Sequence, residues 1–241
     1  MSYEVELLGL AVIFYLYDSS LLLYSNEGIL TVDGARRWSA PPGWVGLVFA
    51  GRRLCMLNPF TPHHPAFRLS WNFETLEPAT VDLSWPARAQ ELKALAPLTL
   101  TAGVALFILL PAGLLSPLGE LLVVPAVILL YASIGAALIQ LHRRKILGSA
   151  GRRRFIGFAF ECLACPPFGV NMIRHLTLAE RISEPLPLAG ARLLVGERWG
   201  GLRDQCVLRL DDAFRNAVDN PDELKALDAQ RKRLKALNHR S

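Results

Sequence analysis

The chain has 241 residues, 52% of them hydrophobic and only 20% charged, with a net charge of +5 and a mean hydropathy of +0.30. This balance excludes a disordered chain, a collagen-like chain and a disulfide-dense miniprotein. The apolar excess is concentrated in a few stretches, and these point to an α-helical membrane protein.

Residues 7–23 form the first such stretch, with Asp18 as its only charge, followed by Ser19 and Ser20. A carboxylate near mid-membrane costs roughly 2.5–3.5 kcal/mol, which the surrounding Leu, Ile, Phe and Val offset. Two readings stand: an uncleaved span within residues 1–24, or a helix lying in the interface. A cleaved secretory signal is not expected, because no Lys or Arg precedes Arg36 and the basic leading region is missing. Asp18 is a candidate functional group, paired with Ser19, Ser20, Thr99 or Thr101 or taking part in proton movement. The plainer reading is a shallow carboxylate that snorkels to the surface.

Residues 25–93 read as short strands forming a small juxtamembrane β-rich module. The segment 67–73 alternates, with Phe67, Leu69, Trp71 and Phe73 on one face and Arg68, Ser70 and Asn72 on the other. Residues 45–49 and 54–57 flank a hairpin connection of Ala50, Gly51, Arg52 and Arg53 with Gly51 at its bend, and residues 28–32 supply a further strand. Pro41, Pro42 and Gly43, and the segment 58–65 with its His63–His64 pair, are loops by composition. A module of this size has a marginal core and needs support from the membrane or from the C-terminal part.

Residues 94–115 and 121–141 carry no charge. About 20 helical residues cross a hydrocarbon core of about 30 Å, so residues 94–141 are expected to form a transmembrane hairpin. Its turn is Ser116, Pro117, Leu118, Gly119 and Glu120. Arg143, Arg144 and Lys145, then Arg152, Arg153 and Arg154, follow the second span, whereas the turn has no basic residue. Positive charge stays inside, so residues 25–93 and 142–241 are expected in the cytoplasm. The six basic residues fix topology or hold anionic lipid. Arg outnumbers Lys 21 to 5, a bias associated with GC-rich bacterial genomes, and the expected location is a bacterial inner membrane with a cytoplasmic C-terminus.

The C-terminal region, 142–241, reads as mostly helical. Residues 155–173 carry one charge, Glu161, and are interrupted by Pro166, Pro167 and Gly169. A fourth span would carry the basic C-terminal residues outside, so the expectation is a helix over 153–165, at the interface or buried, then one from Pro167 to Ser183. Val207, Leu210, Phe214 and Val218 share a helical face. Asn220, Pro221, Asp222 and Glu223 start a last helix with a narrow stripe of Leu224, Leu227, Leu234 and Leu237.

Phosphate-loop, dinucleotide-fold, zinc-protease and nucleophile-elbow patterns are absent from the sequence. Cys162 and Cys165 are spaced as half of a zinc site, with Cys55, Cys206, His142, His175 or the His63–His64 pair to complete it. The same pair reads as a redox thiol if Cys165 precedes a helix, or as two small packing residues. In the reducing cytoplasm no structural disulfide is expected. No cofactor beyond such a metal, and no nucleic-acid partner, is expected. The sequence therefore points to a non-catalytic scaffold, assembly factor or accessory subunit with a protein partner or a second copy of itself. A membrane-bound thiol-redox or metal-binding factor is the alternative, and transport comes third because the spans lack polar lining.

Overall fold

A computed structural model describes residues 3–33, 37–41, 47–49, 51–72, 83–116, 119–144, 152–216 and 221–237. Lys145, Phe73, Pro42, Gly43, Val45, Ala50, Pro117, Leu118, Val218 and Asn220 lie outside the described residues, as does the side chain of Arg152. The fold is mostly helical, with two small antiparallel sheets. It divides into two compact units that interleave along the sequence. The first unit comprises Met1–Leu21, Met56–Pro65 and Pro86–Leu178; the second comprises Leu22–Cys55, Ala66–Trp85 and Ala179–Ser241.

The first unit opens with α1 (Tyr3–Asp18). Residues 7–23 do not form the one helix expected: α1 stops at Asp18, and β1 (Ser20–Leu23) is a strand. Ser20 Oγ donates to the Leu16 carbonyl at 2.7 Å, the local hydroxyl-to-backbone bond that competes with helix continuation. The following leucines are then taken up in a sheet. At 16 residues α1 is about 24 Å long, less than a hydrocarbon core of about 30 Å.

The hairpin forms as expected but begins earlier. A continuous helix, Ser84–Leu115, is built of α2 (Ser84–Leu92), a 3-10 turn (Lys93–Leu95), α3 (Ala96–Val104), a π turn (Ala105–Leu109) and α4 (Leu110–Leu115). Pro111 explains the π turn. Its ring would strike the carbonyl four residues back, at Phe107, and the widened turn lets the Leu110 amide donate to Ala105 instead. The return helix is α5 (Glu120–Arg143). Gly119, at φ +31°, donates to the Ser116 carbonyl at 3.1 Å and allows a reversal that a side chain would strain. A Cβ on Gly113 would lie 2.9 Å from Val123 Cγ2, so the two arms meet closely there.

Both helices are long and apolar enough to cross a membrane by length and composition, and only 28% and 33% of their most apolar windows are buried. The inner stripe of Ala102, Ala105, Leu130, Ile134, Ala137 and Leu141 joins Tyr15, Cys162, Val170, Met172 and Ile173 in one core.

After the hairpin come α6 (Arg152–Ala164), α7 (Pro166–Val170) and α8 (Met172–Leu178). The helix expected over 153–165 is present. The helix expected from Pro167 to Ser183 is instead two short pieces broken at Asn171 and finished by Leu178. Pro166 and Pro167 carry no amide hydrogens to satisfy at the start of α7. A Cβ on Gly169 would lie 2.8 Å from both the Cys162 carbonyl and Ile134 Cδ1, so glycine lets α7 approach both α6 and α5.

In the second unit one sheet orders β3 (Trp38–Ser39), β2 (Glu27–Val32) and β6 (Ala66–Ser70), with Gly28 opposite Leu69 and Leu30 opposite Phe67. The other orders β1, β5 (Arg52–Met56) and β4 (Val48–Phe49). Phe67, Leu69 and Trp71 are buried while Ser70 is exposed, as strict alternation requires. Trp85 stacks edge-on to Trp38 at 5.2 Å and lies 5.0 Å from Phe67. The marginal strands are supported by the C-terminal helices α9 (Leu186–Leu193), α10 (Glu197–Asn216) and α11 (Pro221–Ala236). Leu186 fills the space above Gly28, and Arg209 donates to the Glu27 carbonyl. Leu227 and Leu234 of the expected α11 stripe are buried.

Candidate functional site

Asp18 closes α1 and is the centre of a polar cluster in the first unit. Asn171 Nδ2 donates to Asp18 Oδ2 at 2.7 Å and to Ser19 Oγ at 3.2 Å. His175 Nε2 lies 3.0 Å from the same carboxylate oxygen, and its ring stacks on Phe168 at 3.7 Å. The break between α7 and α8 is what turns Asn171 toward α1, and one turn later α8 delivers Arg174 and His175.

Arg174 works on a different element. Its Nη2 donates to the carbonyls of Asn58 and Thr61, at 2.5 and 2.7 Å, and its Nη1 to Asn171 Oδ1 at 3.3 Å. The loop of residues 57–65 is thereby tied to α8. Tyr15 donates from its hydroxyl to the Pro59 carbonyl, and the Leu57 amide donates to Ser19 at 3.0 Å. Burial pulls the Arg174 guanidinium down to about 10, opposed by Tyr15 and Asp18, so it stays cationic at neutral pH. Ser19, Asn171 and Arg174 are 0%, 1% and 3% exposed. The Asp18 and His175 side chains retain 19% and 23% exposure and form the wet end of the cluster. A carboxylate–imidazole pair can hold or pass a proton, and a buried guanidinium can brace a loop; this arrangement offers both.

The sequence singled out Asp18 but not its partners. Thr99 and Thr101, considered as partners, bond instead to carbonyls of their own helix. The available signal was an Asn inside, and an Arg and a His directly behind, an apolar, proline-broken stretch. Spacing alone does not connect them to a residue more than 150 positions away.

Cys162 is buried in α6, and burial, with Glu161, Asp18 and Cys165 acting in the same direction, pushes its thiol up to about 12. Cys165 is exposed and stands immediately before α7. Cys55 and Cys206 belong to the second unit, where burial pushes them up to about 11 and about 12 against the lowering influence of Arg209. His142 rests on Phe155, and His63 packs edge-on to His64. Among the described residues no three His, Cys, Asp or Glu side chains gather as a metal group.

Arg143 and Arg144 end α5 and Arg153 and Arg154 begin α6, all four exposed. The His142–Phe155 ring contact, 5.0 Å between centroids, brings these two helix ends together. Comparison of the chain with protein-family models, curated proteins and solved structures gives no match.

Proposed function

We propose that the chain is an integral protein of a bacterial inner membrane, a non-catalytic scaffold, assembly factor or accessory subunit whose hairpin anchors cytoplasmic interaction surfaces. The observation that carries this reading is the outward apolar surface of the hairpin. Leu115, Leu121 and Ile128 are 67%, 77% and 63% exposed, on helices with most of their apolar windows unburied. Water is a poor solvent for such a surface; at about 25 cal/mol per Å² lipid is strongly preferred. Orientation follows from Arg143, Arg144, Lys145 and Arg152–Arg154 after α5, with no basic residue in the turn.

Four measurements test the reading. The chain is expected to resist carbonate extraction from membranes and to need detergent. A Ser116→Cys label should react with an impermeant maleimide in intact cells, while a reporter fused at Ser241 reports cytoplasm. Release by carbonate, or a Ser241 reporter outside, overturns it. Purification in mild detergent and mass spectrometry should then return a reproducible partner or a homo-oligomer. A partnerless monomer with a turnover activity refutes the scaffold reading.

The alternative, a thiol-redox or metal-binding factor using Cys162 and Cys165, draws support from the exposed position of Cys165 ahead of α7. A Cys162→Ser, Cys165→Ser double variant that keeps full function, from a protein that binds no metal, removes it.

A further inference from the structure

The face of α6 turned away from the core has no covering element among the described residues. Ile156, Phe160 and Leu163 are 55%, 70% and 41% exposed, and their spacing places them on one side of the helix. The opposite side packs Phe155, Phe158, Ala159 and Cys162 against the core. At the head of the stripe stands Arg153, and beside it, through the His142–Phe155 contact, Arg143 and Arg144, while Arg154 lies seven residues before Glu161 and on its side of the helix. None of the four is ion-paired with a described carboxylate. Glu161, the acidic residue of α6, is about 100° around the helix from Phe160 and off the stripe.

We propose that this face is a binding site for an anionic phospholipid. The arginines of α5 and α6 hold the phosphate, and the acyl chains lie along Ile156, Phe160 and Leu163. The proposal rests on the membrane reading of the hairpin and deepens it. Two features select lipid over a protein or a second copy. The first is charge: guanidinium pairs bind phosphate oxygens bidentately, which suits arginine better than lysine. The second is continuity. The site adjoins the end of α5, and from Arg153 to Leu163 the stripe runs about 15 Å, long enough for an acyl chain to lie along it. The headgroup-to-tail order of the lipid is thus matched by the arginine-to-leucine order along α6.

Full-length protein in a neutral detergent, titrated with phosphatidylglycerol or phosphatidylcholine of identical chains and read by native mass spectrometry, tests the site. Phosphatidylglycerol should be retained on the order of tenfold better. An Arg143→Gln, Arg153→Gln pair should abolish that preference, and an Arg181→Gln, Arg215→Gln pair of equal charge loss should leave it. Phe160→Ser with Leu163→Ser should weaken both lipids while keeping the headgroup preference. An Arg143→Lys, Arg153→Lys pair, which keeps the charge and guards against a misfolded glutamine variant, should retain more preference than glutamine does. Equal retention of the two lipids by the unaltered protein overturns the proposal, as does a preference that survives the Arg143 and Arg153 glutamines. A lysine pair no better than glutamine, or displacement of the lipid by millimolar inorganic phosphate, also overturns it. Since the protein is already in micelles, these failures leave the hairpin reading standing, whereas carbonate release removes both.

Discussion

Arg174 donates to two loop carbonyls and one side-chain amide oxygen at once; without it the Asn58 and Thr61 carbonyls keep the Thr61 and His64 donors of their own loop, but the tie from the loop to α8 is lost. Arg174→Met should cost roughly 2–4 kcal/mol, read as a lower unfolding midpoint in detergent. The 57–65 loop should lose amide protection more than α5 does. His63 adds a pH dependence. Burial and Arg174 both hold its pKa below the ordinary 6.5, so the folded chain favours the neutral ring. The unfolded chain binds a proton near 6.5, and the stabilisation is therefore complete above that pH and lost as pH falls below it. Protection of the loop should decline as pH falls below about 6.5, and His63→Gln should flatten the decline. The thiols separate in the same way. Of the four cysteines Cys165 is the exposed one, and burial raises the other three. Native protein should release one rapid equivalent to a thiol reagent and unfolded protein four; Cys165→Ser should remove the rapid one.

Elements defined by local pattern were legible in the sequence. The alternation at 67–71 and the uncharged hairpin arms needed no distant partner to be recognised, and the helix from Arg152 was bounded by charge before and proline after. Elements decided by distant partners were not legible. Ser20–Leu23 has the apolar content of a helical turn, and its strand state depends on β5 being available beside it. The break at Asn171 likewise depends on Asp18 and Ser19 accepting its side-chain amide. The candidate site was accordingly visible as a carboxylate without its partners. Close packing of α7 gives a sharper test at this scale. Gly169→Ala places a methyl 2.8 Å from a carbonyl and from Ile134 and should cost about 1–3 kcal/mol. Gly135→Ala, with nothing within 4 Å, should be neutral or slightly stabilising through helix propensity. Unfolding midpoints of the two variants in one detergent decide it.

At the scale of the whole chain, the division into units does not follow sequence order. The second unit takes its strands from Leu22–Cys55 and Ala66–Trp85 and its helices from Ala179–Ser241, with Pro86–Leu178 belonging to the first. Truncation before Ala179 should therefore unfold the strand region while leaving a hairpin that still fractionates with membranes. Limited proteolysis of membrane-bound truncated chain would show rapid cleavage within residues 22–55, and persistent protection there would refute the shared core. The same interleaving sets a timetable for synthesis. At about 5–20 residues per second, the ribosome needs roughly 5–20 s to make the stretch between the last strand residues and the helices that cover them. During that interval the hairpin emerges, while Gly28 still lacks Leu186 and the Glu27 carbonyl still lacks Arg209. On the membrane reading proposed above, insertion precedes closure of the second unit, and a chain stalled in between is the species most exposed to proteases and chaperones.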